Sequence, residues 1–350
     1  MLMRAAVLHS ISDMRVEKVD TPRAGSADIL LKVAFCGVCG SDVPRIIKGT
    51  AHYYPIILGH EFSGMIVDVG DDLSPDLKGK KSVCAPLMPN FSDPECAKGN
   101  YSLSKGYDFI GSNKQGGFAE YVAMPARNAI ILDDSLDLLT ASFLEPLTVA
   151  LHAINIVKYR PGRKAAVIGV GGIGLLMLQC LKQLGTQSIS AFDVDDHKLG
   201  LATDLGAEFC FNSQDADIFK KACEQAAPSG YDFVFEASGA PSAEILALKL
   251  AAPRGNLVYV GTPHSALTIQ PAEFELINRK ELTLKGSWLN YSAPFPGWEW
   301  EYGLEMITKQ QVDINALMGS RLPLSQARRL PSLLSETGGV KRKIVLDCST

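Results

Sequence analysis

The feature that most limits what this chain can fold into is Gly169-Val170-Gly171-Gly172-Ile173-Gly174, set between apolar stretches over 165–169 and 173–184. Glycine clusters mark turns more often than ligand sites, so the spacing alone carries little weight. Its setting carries more. A strand ending on Gly169 and a helix starting just beyond Gly171 put glycine where the turn is tight and where backbone must approach a pyrophosphate. Gly174 lies where helix packs on strand. The helix start at Gly172 and Ile173 leaves N–H groups free to face phosphates. Asp193, nineteen residues past Gly174, closes the next apolar run, where a carboxylate can accept from both hydroxyls of an adenosine ribose. These residues predict a bound dinucleotide. Asp193 repels a 2′-phosphate and no Arg immediately follows it, so NAD is expected over NADP.

The flanking pattern extends this reading. Strands over 165–169, 188–193, 233–236, 257–261 and 282–285 accompany helices over 173–184, 197–205 and 243–250, which predicts a parallel sheet covered on both faces. Before about residue 147 the rhythm differs. Short β segments over 5–8, 29–35, 64–69, 81–85 and 118–125 follow one another without a long amphipathic helix. The tail carries an aromatic, proline-rich stretch over 287–300, a helix near 301–309, and a β segment over 343–347 that can pair back into the first domain. A length of 350 residues fits two domains. The expected division is 1–147 with 287–350, and 148–286.

With 47% hydrophobic and 21% charged residues the chain has ordinary globular composition. Its 34 basic and 38 acidic residues give a net charge of −4 with no basic run, so neither nucleic acid nor an anionic membrane is an expected partner. His9, Asp13 and Arg15 interrupt the opening before a signal core can form; a cytoplasmic enzyme is expected. The stretch 165–181 imitates a membrane span, but its four glycines argue against one. Eight cysteines are then reduced, as buried thiols or metal ligands.

A second signal precedes the glycine turn: Gly37-Val38-Cys39-Gly40-Ser41-Asp42, Leu58-Gly59-His60-Glu61 and Glu145-Pro146. Thiol, imidazole and carboxylate together suit zinc. In this order, upstream of a dinucleotide unit, these segments resemble the zinc-dependent medium-chain alcohol and polyol dehydrogenases, over essentially the whole chain. The resemblance implies an α/β architecture, a GroES-like β-rich catalytic domain plus a Rossmann doubly wound parallel-sheet domain. It makes Cys39, His60 and Glu145 zinc ligands, with Glu61 able to take the remaining position when substrate is absent. Asp42 would orient His60, and Ser41 would take the proton of the substrate hydroxyl. Zinc would act as a Lewis acid, and hydride would pass to the nicotinamide of NAD. It also places Lys198 at the adenosine ribose and Val260-Gly261-Thr262 beside the nicotinamide. Trp288, Asn290 and Tyr291 would line the pocket, although aromatic residues there equally suit a subunit interface. Relatives are dimers or tetramers, so a homodimer or homotetramer is expected.

Within the family, Pro44-Arg45, the segments 51–55 and 107–111, and Gly286-Ser287-Trp288 most resemble members acting on polyol phosphates. That implies oxidation of a sugar-alcohol phosphate to the ketose phosphate, galactitol 1-phosphate to tagatose 6-phosphate. A free-polyol (sorbitol-like) or threonine dehydrogenase is the alternative. A zinc-free quinone reductase or an NADH-sensing regulator is disfavoured by the intact Cys39, His60 and Glu145 set. Arg45, with Lys48 three residues on, is expected to anchor the phosphate.

Two departures from the family pattern stand out. Pro44 occupies the place of a relay His, so the proton must leave through water or the cofactor ribose. In the small lobe that holds a structural zinc on four cysteines, the matching positions are Asn90, Asp93, Cys96 and Ser104. One thiol cannot make that sulfur-rich site, and one zinc per chain is expected. Cys36 with Cys39 forms a C-x-x-C, but Cys36 reads as a packed residue. His152 and His264 receive no ligand role.

Overall fold

The structure, a computed structural model, describes residues 1–263, 265–335 and 342–350; His264 lies outside them. Two compact units form, Met1–Glu145 with Tyr291–Lys309 and Leu317–Thr350, and Pro146–Asn290 with Gln310–Ala316. The sequence reading gave everything after 286 to the first unit. Residues 287–290 and Gln310–Ala316 instead belong to the second, where Asp313 N–H donates to Gln179 Oε1 at 2.6 Å and Gln183 donates to the Gln311 carbonyl at 3.1 Å.

In the first unit, Asp28–Gly37 is the central strand. Its Ile29, Leu31 and Val33 are buried at period two, the alternation of a strand with one face in the core. Glu61–Val69 pairs antiparallel on one edge, Gly37 opposite Glu61, and Lys343–Asp347 pairs antiparallel on the other, Val345 opposite Gly37. The sheet runs Ala129–Ile131, Lys81–Cys84, Glu61–Val69, Asp28–Gly37, Lys343–Asp347, Met318–Pro323, with Tyr121–Pro125 also on Asp28–Gly37. The hairpin partner Asp13–Asp20 of Leu2–Ser10 is absent from the sequence reading. Of its residues only Met14 is buried, so its charged sequence lacks an apolar stripe.

The second unit is a six-stranded parallel sheet in the order Phe209–Asn212, Ser188–Asp193, Lys164–Ile168, Tyr231–Glu236, Ala251–Tyr259, Thr283–Gly286. Ala165, Ala166, Val167 and Ile168 are all buried, the continuous apolar run of a strand covered on both faces. From Lys164–Ile168 the chain winds first to one side and then to the other, so the order reverses beside Gly169, where doubly wound sheets bind ligands. Phe209–Asn212 and the helix Ile218–Gln225 escaped the pattern because both lie at the sheet margin and are only partly buried. The span-like 165–181 is divided between a strand and the helix Gly172–Gln183. A different stretch, Leu138–Asn155, is long and apolar enough to cross a membrane, and 67% of it is buried.

Phe192 anchors the second core, fully buried, stacked on Phe211 at 5.1 Å and edge-on to Tyr231 at 6.1 Å. Phe192→Ala should lower stability by about 3–5 kcal/mol, measured as a fall in the urea midpoint. An unchanged midpoint would mean the cluster does not support this unit.

Candidate active site

Beyond Gly37 the chain leaves the sheet, presents Cys39, and turns into the short helix Asp42–Ile47. Cys39 N–H donates to Asp42 Oδ2 at 3.0 Å, and Ser41 N–H approaches Cys39 Sγ at 3.5 Å. Gly59, at φ +95°, turns the chain into His60. A Cβ there would lie 2.4 Å from the Phe118 ring and 2.8 Å from Cys36 Sγ, so the turn requires glycine and Cys36 is its buried packing partner. His60 is then held edge-on to Phe109 at 5.5 Å.

The donor atoms of Cys39, His60 and Glu61 lie within 4.8 Å of one another, the one such group among the described residues. His60 Nδ1 is buried without a hydrogen-bond partner and faces the wholly buried Asp42, its Oδ1 3.7 Å away. That distance exceeds a hydrogen bond, but the pairing of buried imidazole and carboxylate is the one that orients a metal-ligating histidine. Thiol, imidazole and carboxylate converging in a buried place fit zinc. Glu145 is buried and its charge contributes to raising the Cys39 thiol; it stands outside the group of three mutually close donors. Burial, then the charge of Glu61, pushes the Cys39 thiol up to about 12. It is therefore protonated at neutral pH in the metal-free protein.

Lys343 is the residue the sequence reading missed here. Its Nζ lies 2.6 Å from both Glu61 oxygens. Burial opposes the charged ammonium, yet Glu61, Cys39 and Glu145 outweigh it and raise the pKa. Gly37 makes the meeting possible: a Cβ there would lie 2.2 Å from Glu61 Oε2 and 2.9 Å from Lys343 Cε. A lysine opening a strand reads by default as solvated, and nothing in the local sequence says otherwise.

Arg45, expected to reach outward, is turned inward and is 17% exposed. Its Nη1 donates to Ser41 Oγ at 2.9 Å, the Ser41 carbonyl at 3.1 Å and Asp42 Oδ1 at 3.4 Å, and its Nη2 to Ser112 Oγ at 2.8 Å. It braces the loop that carries Cys39. Lys48 is exposed and has no acidic partner among the described residues. In the small lobe, Ser104 Oγ accepts from Asn90 N–H at 3.3 Å and Asp93 caps the helix Pro94–Ala97 by accepting from Glu95 N–H at 2.9 Å, while Cys96 is buried. Side-chain hydrogen bonds occupy three of the four positions, Asn90, Asp93 and Ser104.

In the second unit Gly169 adopts φ +83°, and a Cβ on Gly174 would lie 2.0 Å from the Gly169 carbonyl oxygen, whereas Gly171 and Gly172 face open space. The turn is tight, the helix packs close, and the side toward a phosphate is clear. Asp193 is buried and fixed, Oδ2 accepting from Val170 N–H at 2.9 Å and Oδ1 from Asp195 N–H at 3.0 Å. Lys198 is half-buried on the helix Asp196–Asp204. Val260 and Gly261 donate to the Glu236 carbonyl at 2.8 and 3.0 Å, and Thr262 is exposed. Sequence reasoning missed Glu236, whose buried carboxylate accepts from Ser238 and Gly239 N–H at 2.8 and 3.0 Å. The expected pocket residues separate. Trp288 is 51% exposed, but Asn290 is wholly buried and donates to Thr148 Oγ1 at 2.7 Å, a brace rather than a lining residue. Tyr291 is also buried, its hydroxyl accepting from Leu87 N–H at 2.8 Å and its ring stacked on Phe295.

Because the Cys39 thiol is raised, zinc uptake near pH 7 must displace its proton, and apparent affinity should rise about tenfold per pH unit from this group. Proton release into a weakly buffered indicator solution during zinc titration checks this. Cys39→Ser should abolish both uptake and release; release unchanged in that variant would place the metal elsewhere.

Two family models match the chain, the alcohol dehydrogenase GroES-like domain over 25–134 and the zinc-binding dehydrogenase domain over 172–305. Galactitol 1-phosphate 5-dehydrogenase of Escherichia coli (strain K12) is 41% identical over 323 residues, 91% of this chain and 92% of that protein. A crystal structure of galactitol-1-phosphate dehydrogenase from Escherichia coli superimposes with a TM-score of 0.94 at 37% identity, covering 99% of this chain and 100% of that one. Sorbitol dehydrogenase of Bacillus subtilis (strain 168) is 28% identical, covering 93% and 92%. With a thiol–imidazole–carboxylate cluster in its β-rich unit and a glycine-turn parallel sheet in its other unit, the chain belongs to the zinc-binding alcohol dehydrogenases and is an oxidoreductase of the polyol dehydrogenase type.

Proposed function

We propose that this enzyme oxidises a sugar-alcohol phosphate with NAD, galactitol 1-phosphate to tagatose 6-phosphate. The observation that carries the reading is the 41% identity to galactitol 1-phosphate 5-dehydrogenase along 91% of the chain. Zinc, one per chain, would be held by Cys39, His60 and Glu145, and when bound supplies the Lewis acidity that eases loss of the substrate hydroxyl proton. Ser41 Oγ receives that proton. Arg45 donates to the same oxygen, so one lone pair is occupied and the other accepts the substrate proton, while the hydroxyl's own hydrogen is released to the next acceptor. Pro44 carries no proton, so water or the cofactor ribose takes it onward. Asp193, pinned by two backbone N–H groups, keeps lone pairs for the ribose hydroxyls, and with Asp195 and Asp196 it repels a 2′-phosphate. Eight free cysteines are in keeping with a reducing, cytoplasmic setting. The exposed edge strand Thr283–Gly286 has a free side on which a second copy can pair, in keeping with a homodimer or homotetramer.

The inward turn of Arg45 changes its expected part. Its donors already serve Ser41, Asp42 and Ser112, so we assign the phosphate to Lys48 and loop bracing to Arg45. Lys48→Ala should raise KM for the phosphorylated polyol about tenfold, as for one charge-assisted hydrogen bond, and leave the free polyol unaffected. Arg45→Ala should lower kcat with both. A wild type that prefers sorbitol or another free polyol would replace this reading with a plain polyol dehydrogenase.

The cofactor assignment is tested separately. NAD should exceed NADP strongly in kcat/KM, and Asp193→Ser combined with Val194→Arg, at an exposed position, should narrow or reverse the preference. Equal use of both by the wild type would remove Asp193 from the ribose.

A further inference from the structure

Glu236, the last residue of the strand Tyr231–Glu236, holds two turns at once. Its carbonyl oxygen accepts from Val260 and Gly261 N–H, at 2.8 and 3.0 Å, in the turn that follows Ala251–Tyr259. Its side chain takes up the turn that follows its own strand. Oε1 accepts from Ser238 N–H at 2.8 Å, from the Ser238 hydroxyl and from Gly239 N–H at 3.0 Å, and Oε2 accepts from Gly239 N–H at 3.1 Å. We infer that Glu236 is a positioning residue for the nicotinamide half of the cofactor, which it serves by locking these two turns into one floor without touching the ligand. The inference rests on the dinucleotide part of the reading above, and on neither the substrate nor the metal.

Three observations carry it. The first is placement. Lys164–Ile168 lies between Ser188–Asp193 and Tyr231–Glu236, with Ile168 opposite Glu236, so Asp193 and Glu236 end the two strands that flank the glycine turn. A doubly wound sheet binds a dinucleotide across such a switch point, one mononucleotide over each half. With the adenosine ribose assigned to Asp193, the ends of Tyr231–Glu236 and Ala251–Tyr259 are left for the nicotinamide mononucleotide. The second is interlock. A Cβ on Gly169 would lie 2.7 Å from Ser238 Cβ, one on Gly239 2.1 Å from the Thr262 carbonyl oxygen, and one on Gly261 2.1 Å from the Gly239 nitrogen and 2.8 Å from Glu236 Oε2. The three turns are therefore packed backbone to backbone, and any shift of Ser238–Gly239 is passed on to Thr262. The third is the use made of the carboxylate. Asp193 takes one N–H on each oxygen and keeps lone pairs for a ligand. Glu236 is wholly buried, and its Oε1 already receives three donors from the turn. A buried carboxylate is tolerated only when it is served in this way, so carboxylate and turn hold each other in place.

The two halves of the cofactor can be probed separately, because ADP-ribose carries the adenosine, the pyrophosphate and both riboses but no nicotinamide. In the full-length protein Glu236→Gln sets an amide N–H against Gly239 N–H. It should weaken NADH binding about tenfold, as for one charge-assisted hydrogen bond, while ADP-ribose affinity measured by calorimetry stays within about twofold of wild type. NADH bound to this variant should also show less fluorescence enhancement than in the wild type, since its nicotinamide is held less firmly. Ser238→Ala, at an exposed position, removes only the hydroxyl donor. It should show the same split between the two ligands in smaller measure, and it remains measurable should Glu236→Gln misfold. Equal weakening of NADH and ADP-ribose would make Glu236 a support of the sheet alone, and unchanged NADH binding in either folded variant would remove it from the cofactor's floor; each result overturns the inference. Wild-type protein that binds neither ligand overturns the dinucleotide reading itself, whereas normal binding with unaltered variants removes only the role of Glu236.

Discussion

The β-rich unit is organised around the end of one strand. Asp28–Gly37 carries hydrogen-bonded partners on both sides, Glu61–Val69 and Lys343–Asp347, and the clustered thiol, imidazole and carboxylate donors leave from its last positions or face them. Cys39 follows two residues beyond its end; Glu61 is its partner's first residue, and His60 the residue before. Because antiparallel register is set by the buried alternation of Ile29, Leu31 and Val33, a slip of one residue would turn the apolar face outward. Core packing therefore fixes where Glu61 stands relative to Cys39. Glycine at 37 then leaves the room in which carboxylate and ammonium meet.

Around this point the polar groups are arranged in shells of decreasing burial. Asp42 is fully buried and receives the amide of Cys39, faces His60 and is approached by Arg45. Burial raises its pKa, while His60 and Arg45 oppose that rise. Arg45 in turn joins the Cys39 loop to Ser112, which ties two segments 67 residues apart. Such a cation is costly to bury unless its donors are served, and here they are. The same logic governs the other unit. The carboxylates of Asp193 and Glu236 are buried at strand ends and serve backbone N–H groups of the turns that follow, fixing the loops at the sheet's ligand-binding edge.

The small lobe is held by many weak contacts. Asn90, Asp93 and Ser104 make side-chain to backbone hydrogen bonds that hold its loop. Aromatic packing adds to this: Phe91, Tyr101 and Phe295 form three edge-to-face pairs, at 6.1, 6.0 and 5.4 Å.

Much was determined by sequence alone. The glycine turn, the apolar strand before it and the acid after it specify a dinucleotide unit, because tight turns, close backbone approach and ribose recognition each demand a residue type at a short, fixed spacing. The family segments point to Cys39, His60 and Glu145, with Glu61 as an alternate, whereas the folded chain clusters Cys39 and His60 with Glu61; the terminal strand was legible as a returning β segment. Contacts set by register or distant in sequence were not. Lys343 reaches Glu61 across 282 residues, and no local pattern distinguishes it from a solvated lysine. The direction of Arg45, toward Ser41 and Ser112 rather than outward, depends on where a loop distant in sequence lies. Asn290 was read as a pocket residue and is a buried brace to Thr148. Sequence fixes side-chain chemistry and short-range geometry; which charges become partners is decided by burial and strand register, properties that exist only once the chain has folded.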